Sequence, residues 1–162
     1  MLETYGKQTD LTMQLNKQTD YAFRVLIFIA SRPGDSLSTI SEMAERFSIS
    51  RSHLMKIVNK LVQHQYLDST RGIKGGLKLA RAPEAINLAD IVRLMENRLE
   101  PFECNQPPCV LNGGCALRSV FDQARDAFLH TLADYSLADV VNSRTRQVLF
   151  FDGSIPMSKS IQ

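Results

Sequence analysis

Chemically distinctive residues concentrate between positions 103 and 117, which read Glu-Cys-Asn-Gln-Pro-Pro-Cys-Val-Leu-Asn-Gly-Gly-Cys-Ala-Leu. All three cysteines of the 162-residue sequence lie here, Cys104, Cys109 and Cys115, separated by four and five residues. Pro107, Pro108, Gly113 and Gly114 break helix and strand and let the backbone turn back on itself. A polar loop is a poor place for cysteines serving only as small core hydrophobes. Confinement to 12 residues argues against three unrelated thiols and for convergence on one metal centre. The odd count argues against a purely intramolecular disulfide scaffold. Zinc and iron–sulfur clusters both accept thiolates. Either needs a fourth ligand, the loop offers no histidine, and something from elsewhere must complete the site. A plain thiol redox switch is the non-metal alternative.

An enzyme is disfavoured. The three histidines, His53, His64 and His130, are remote in sequence from the cysteines, and no nucleophile constellation or cofactor fingerprint is present. The apolar run Val25–Ala30 is far too short to span a bilayer, and no secretory segment is recognisable, so a cytoplasmic protein with no membrane partner is expected. A reducing compartment in turn favours metal or redox use of clustered cysteines.

The elements that must position these residues are legible from periodicity and charge. Net charge is only +2, but residues 13–81 carry 11 Lys and Arg against 5 Asp and Glu, whereas residues 82–162 carry 7 against 10. Within 51–81 the imbalance is 7 against 1, which points to a polyanion partner for the front half. A solvated charged face is the plainer explanation that charge alone leaves open. Residues 1–12 show no apolar periodicity and read as an extension. From Lys17 to Ser31, Tyr21, Ala22, Val25, Leu26 and Ile29 recur at helical spacing. Asn16 or Thr19 caps this helix, Asp20 lies in its first turn, and Arg24 is placed to pair with it. Arg32-Pro33-Gly34-Asp35 ends it.

A helix-turn-helix follows. Thr39-Ile40-Ser41-Glu42 has the form of a capping box, Ser48-Ile49-Ser50 is a short turn, and Ser50 caps a second helix from Arg51 to about Gln63. Leu54, Ile57, Val58 and Leu61 face a core; Arg51, Ser52, His53, Lys56, Asn59, Lys60 and Gln63 face outward. Such donors suit phosphates and the base edges of a major groove. Tyr66–Thr70 and Leu77–Ala80 read as short strands around a glycine-rich tip, Arg71-Gly72-Ile73-Lys74-Gly75-Gly76. The glycines permit the turn, and Arg71 and Lys74 can meet phosphate or enter a minor groove. A nucleotide-cradling loop is disfavoured, because no strand-to-helix transition and no Gly-Lys-Ser/Thr follow. The fold class is therefore mostly α with a small β wing, a winged helix-turn-helix spanning residues 13–81.

Residues 82–116 supply a connecting helix starting at Asn87 and the cysteine loop. Residues 117–142 supply a long helix, continuing to about Ala133, and a short helical turn from Ser136. Leu117, Val120, Phe121, Ala124, Phe128 and Leu132 line one face of the long helix, more apolar surface than one small domain needs, so a partner helix is expected, with burial within its own chain as the alternative. Residues 143–162 read as a tail with an apolar patch, Val148–Phe151, and a loose polar end.

Met13-Gln-Leu-Asn-Lys-Gln-Thr-Asp-Tyr-Ala-Phe-Arg, the Ser50 helix, Arg71-Gly-Ile-Lys-Gly-Gly and the three-cysteine loop together resemble the iron–sulfur winged-helix repressors that include NsrR and IscR. The resemblance runs from residue 13 to about 142. Cysteine spacing and Thr19-Asp20 look most like the nitric-oxide-sensing members. It implies a homodimer binding operator DNA and a cluster, 4Fe–4S in first place and 2Fe–2S as the alternative. It also implies ligands Cys104, Cys109 and Cys115, with Asp20 contributed by the partner subunit. IscR-like members use a histidine shortly after the third cysteine; here Ala116-Leu117-Arg118-Ser119 contains none, which counts against that branch. The implied function is a repressor released from its operator when nitric oxide nitrosylates the cluster. An IscR-like iron-status regulator, or a zinc or thiol-redox winged-helix regulator, is the alternative.

Overall fold

A computed structural model describes residues 15–34, 36–72, 75–100, 102, 104–105 and 107–151. Helix α1 is Lys17–Ser31, and Asn16 caps it by accepting a hydrogen bond from the Thr19 amide at 2.9 Å. Helix α2, Ile40–Phe47, begins with the complete capping box: the Thr39 hydroxyl accepts from the Glu42 amide, and the Glu42 carboxylate accepts from the Thr39 amide. It ends at Ser48, whose left-handed φ of 53° turns the chain into α3, Arg51–Gln63, capped by Ser50. Strands β1, Leu67–Thr70, and β2, Gly76–Leu79, form an antiparallel wing in the register Leu67–Leu79 to Thr70–Gly76.

Ser38 exchanges two backbone hydrogen bonds with Leu77, at 2.9 and 2.8 Å, and so ties the wing to the entrance of α2. This approach demands glycine at 76, where a Cβ would stand 2.7 Å from the Leu37 Cβ. A 3-10 turn at Pro83–Ala85 leads to α4, Leu88–Met95, then the cysteine loop, α5 at Ala116–Ala133, α6 at Leu137–Val140 and α7 at Ser143–Phe150.

The core lies around α1. Ala22, Val25, Leu26 and Phe28 pack with Met43 of α2, Leu54, Ile57 and Leu61 of α3, Leu67 and Leu77 of the wing, Ile91 and Met95 of α4, and Leu137 of α6. Helix α5 stands apart from this core. Among its described side chains only Leu129 is buried, while Leu117, Val120 and Phe121 are exposed. Its carboxy-terminal end is anchored by Asn87, whose side-chain amide donates to the Ala133 and Tyr135 carbonyls.

The segment after Asn142 departs from the expected tail. Asn142 caps α7 by accepting from the Thr145 amide, and the helix folds back onto α1. Phe150 meets Phe28 at 5.1 Å between ring centroids, the Arg32 guanidinium lies over both rings, and Arg46 of α2 donates to the Val148 carbonyl. Val148, Leu149 and Phe150 of the apolar patch are thus half-buried at the end of a helix, whereas Phe151, just after it, is 76% exposed. The expected loose end beyond residue 151 lies outside the described residues, as does the extension 1–12.

Candidate nucleic-acid interface and cysteine site

The outward face of α3 is as charged as its spacing implies. Arg51, Ser52, His53, Lys56 and Asn59 are exposed and Lys60 is half-buried, because the four inward residues Leu54, Ile57, Val58 and Leu61 pin the opposite stripe to the core. Arg51, Asn59 and Arg71 line one groove with Thr39, Ser41, Ser69 and Thr70, between the start of α2, α3 and the wing. Lys74 lies outside the described residues. Gly72, at φ 111°, supplies the turn after Arg71 that a side chain would strain.

Several arginines elsewhere are paired, although Lys17, Arg46, Arg144 and Arg146, like the cations of this surface, enter no ion pair among the described residues. Arg24, Arg32, Arg93, Arg118 and Arg125 each pair with a carboxylate. Arg51, Lys56, Lys60 and Arg71 enter no ion pair among the described residues. Their charges stay available to a polyanion. The sequence reading missed Met55, which is 47% exposed on the same helix. Its position four residues from both Arg51 and Asn59 was the available signal, and an apolar side chain there suits contact with a thymine methyl.

The cysteine loop is built from nested turns. The Cys109 amide donates to the Cys104 carbonyl at 3.0 Å, the Asn112 amide to the Cys109 carbonyl at 3.0 Å, and the Gly114 amide to the Leu111 carbonyl at 3.1 Å. Side chains brace it: the Asn112 side-chain amide donates to Asn105 Oδ1, and Arg118 of α5 donates to Asn112 Oδ1. All three cysteines are free thiols; Cys109 is exposed, and Cys104 and Cys115 are half-buried. Cys115 is the N-cap residue of α5, and no side chain caps that helix, so its first amides remain open to a negatively charged group.

This donor set fits an iron–sulfur group in chemistry and falls short in number. Three thiols share one loop, yet Cys104 and Cys115 line different cavities, with Arg118 lining both. Among the described residues no three His, Cys, Asp or Glu side chains gather as a metal site. Asp20 stands on α1, where its carboxylate accepts from Arg24 at 2.9 Å. The first turn of α1 is in turn fixed by Glu96, the residue that ends α4 and leads toward the cysteine loop. Glu96 accepts from the Asn16 amide and side chain, each at 2.9 Å, and from the fully buried Thr19 hydroxyl at 2.6 Å. Sequence reasoning did not find Glu96, because its partners lie about 80 positions away.

Comparison with known proteins places this geometry in a family. Residues 15–143 match Rrf2, described as an iron-dependent transcriptional regulator. The HTH-type transcriptional regulator NsrR of Bacillus subtilis (strain 168) is 43% identical over 136 residues, covering 82% of this chain and 92% of the relative. NsrR of Bacillus licheniformis is 38% identical over 132 residues, covering 80% and 92%. Among solved structures, CymR (YrzC), the global cysteine regulator of B. subtilis, superposes with a TM-score of 0.67 at 26% identity, covering 80% of this chain and 97% of that one. T. potens IscR, at 23% identity and a TM-score of 0.65 over 79% and 85% of the two chains, shares the fold. No helix among the described residues is long and apolar enough to cross a membrane. The chain belongs to the Rrf2 family of transcriptional regulators.

Proposed function

We propose that the chain is one subunit of a homodimeric, nitric-oxide-responsive repressor, with an iron–sulfur cluster held by Cys104, Cys109, Cys115 and the partner subunit's Asp20. The observation that carries this reading is a three-thiol loop around which no three His, Cys, Asp or Glu side chains gather as a metal site among the described residues, beside an α5 on which Leu117 and Val120 are exposed and Phe121, although met by Phe102, stays 41% exposed. A second copy answers both needs. The cluster, of four irons in preference to two, supplies when bound an iron centre that reacts with nitric oxide.

The remaining steps belong to the protein. Leu117, Val120 and Phe121 bury against their counterparts and set the two heads on one axis. Asp20 reaches across and ties α1 of one head to the loop of the other. With that tie made, the two α3 helices enter successive major grooves of a near-palindromic operator. Arg51, Ser52, His53, Lys56, Asn59 and Lys60 meet bases and phosphates, and Arg71 and Lys74 add wing contacts. Carboxylate is a harder ligand than thiolate, so Asp20 is the weak point of the site. Once displaced, it returns to Arg24, the heads are freed, the operator is released, and genes for nitric oxide detoxification are expressed. Such a site belongs in the reducing cytoplasm, and the chain performs no catalysis.

A gel shift on operator DNA with anaerobically loaded, nitric-oxide-treated and cluster-free protein tests this. Loaded protein alone should bind tightly; equal affinity of all three defeats the switch. Colour separates the alternatives, since a cluster gives brown protein that bleaches with nitric oxide, whereas a zinc or thiol-only regulator is colourless.

A further inference from the structure

Arg81 is the last of the seven cations in the basic stretch 51–81, and by sequence it belongs to the phosphate-facing charge. Its contacts set it apart from Arg51, Lys56, Lys60 and Arg71. Arg81 Nε donates to the Gln65 carbonyl at 2.8 Å and Nη2 to the His64 carbonyl at 2.9 Å. The guanidinium carbon sits 4.5 Å from the centroid of the Tyr66 ring. His64 is the C-cap of α3, and Gln65 follows at φ 59°, a left-handed conformation that costs a non-glycine residue energy. The helix end leaves carbonyls without intrahelical partners, and a forked cation satisfies two such groups while opposing the negative end of the helix dipole. The Ala80 amide also donates to the Tyr66 carbonyl at 3.0 Å, so the exit of β2 returns to the residue just before β1.

We propose that Arg81 is a positioning residue for DNA recognition, fixing the wing to the end of the recognition helix instead of meeting phosphate. The proposal rests on the DNA-binding reading above. A four-residue ladder at roughly 3.3 Å per residue puts the wing tip about 13 Å from this root, so a rotation of about 10° displaces Arg71 by about 2 Å. That shift breaks the match between tip and recognition helix on a specific site and matters little on arbitrary DNA.

The test uses the loaded full-length dimer and two duplexes of about 30 base pairs, one selected by the wild type from a random pool and one scrambled. Arg81→Ala should weaken binding to the selected duplex about ten-fold, keep affinity for the scrambled one within about two-fold, and leave the salt slope unchanged. Arg71→Ala, the phosphate-contact control, should lower that slope by about 0.9. Arg81→Lys keeps the charge without the fork and should resemble Arg81→Ala. Equal weakening on both duplexes, a slope lowered by about one, unaltered specific affinity, or rescue by lysine would each overturn the proposal. Absence of any preference in the wild type would instead remove the DNA-binding reading itself.

Discussion

Asp20 carries one carboxylate and has two claimants for it. In the single chain Arg24 holds it through two contacts at 2.9 Å, with both side chains nearly half exposed. An exposed i, i+4 pair of this kind contributes only about 0.3–0.5 kcal/mol, so it yields readily to ligation by a metal centre. For the proposed exchange Glu96 would matter, because it holds the turn from which Asp20 projects. Removing its carboxylate takes away three acceptor contacts around the buried Thr19, at a cost of about 1–3 kcal/mol. Glu96→Ala should therefore lower the melting temperature of cluster-free protein by about 3–10 °C, read by circular dichroism. Glu42 gives a pH-dependent signature. Partial burial opposes its charge, but hydrogen bonds from Arg32 and Thr39 outweigh this and hold its carboxyl below the usual glutamate range. A depressed carboxylate adds stability that is fully present above its unfolded pKa and is lost as pH falls through the lower folded value. Melting of the wild type should thus fall off more steeply on acidification through that window than melting of Glu42→Gln.

At the scale of elements, legibility followed the range of the interactions. The capping box of α2, the Ser50 cap and the apolar stripe of α3 are local patterns, and the structure repeats them residue for residue. The Asp20–Arg24 pair is likewise an i, i+4 contact visible in sequence. What sequence did not disclose depends on distant chain. The clasp of Ser38 on Leu77 and the reach of Glu96 to Asn16 have no local signature. Helix α7 was hidden for the same reason. Eight residues with apolar side chains only at its end make a weak period, and what stabilises it is contact with Phe28 and Arg32 about 120 positions earlier. Phe150→Ala should remove roughly half of a buried aromatic's contribution, about 2 kcal/mol, and lower the melting temperature by about 4–8 °C. An unchanged melting temperature would mean that α7 does not support the head.

At the scale of the whole molecule, the basic α3 surface and the start of the segment leading to the thiol loop both pack on one helix, α1, which forms the middle of the core. Legibility was least here, because a single chain contains only half of each proposed joint. The exposed Leu117, Val120 and Phe121 are the other half of the argument for a dimer. Placing charge there should split the assembly: Val120→Glu should sediment as a monomer at micromolar concentration where the wild type sediments as a dimer, while keeping helical circular dichroism. The cross-chain ligand set is the central claim, and mixed dimers test it most directly. One chain carries Asp20→Ala with its cysteines intact, and the other carries Cys104→Ser, Cys109→Ser and Cys115→Ser with Asp20 intact. Ligation across the dimer predicts one complete site in this heterodimer, with the wild-type absorption spectrum and nitric oxide bleaching. A heterodimer spectrum that departs from the wild type and matches the Asp20→Ala homodimer would contradict it, since Asp20 would then serve only the cysteines of its own chain. A wild-type spectrum from the Asp20→Ala homodimer itself would equally contradict it, since Asp20 would then be no ligand.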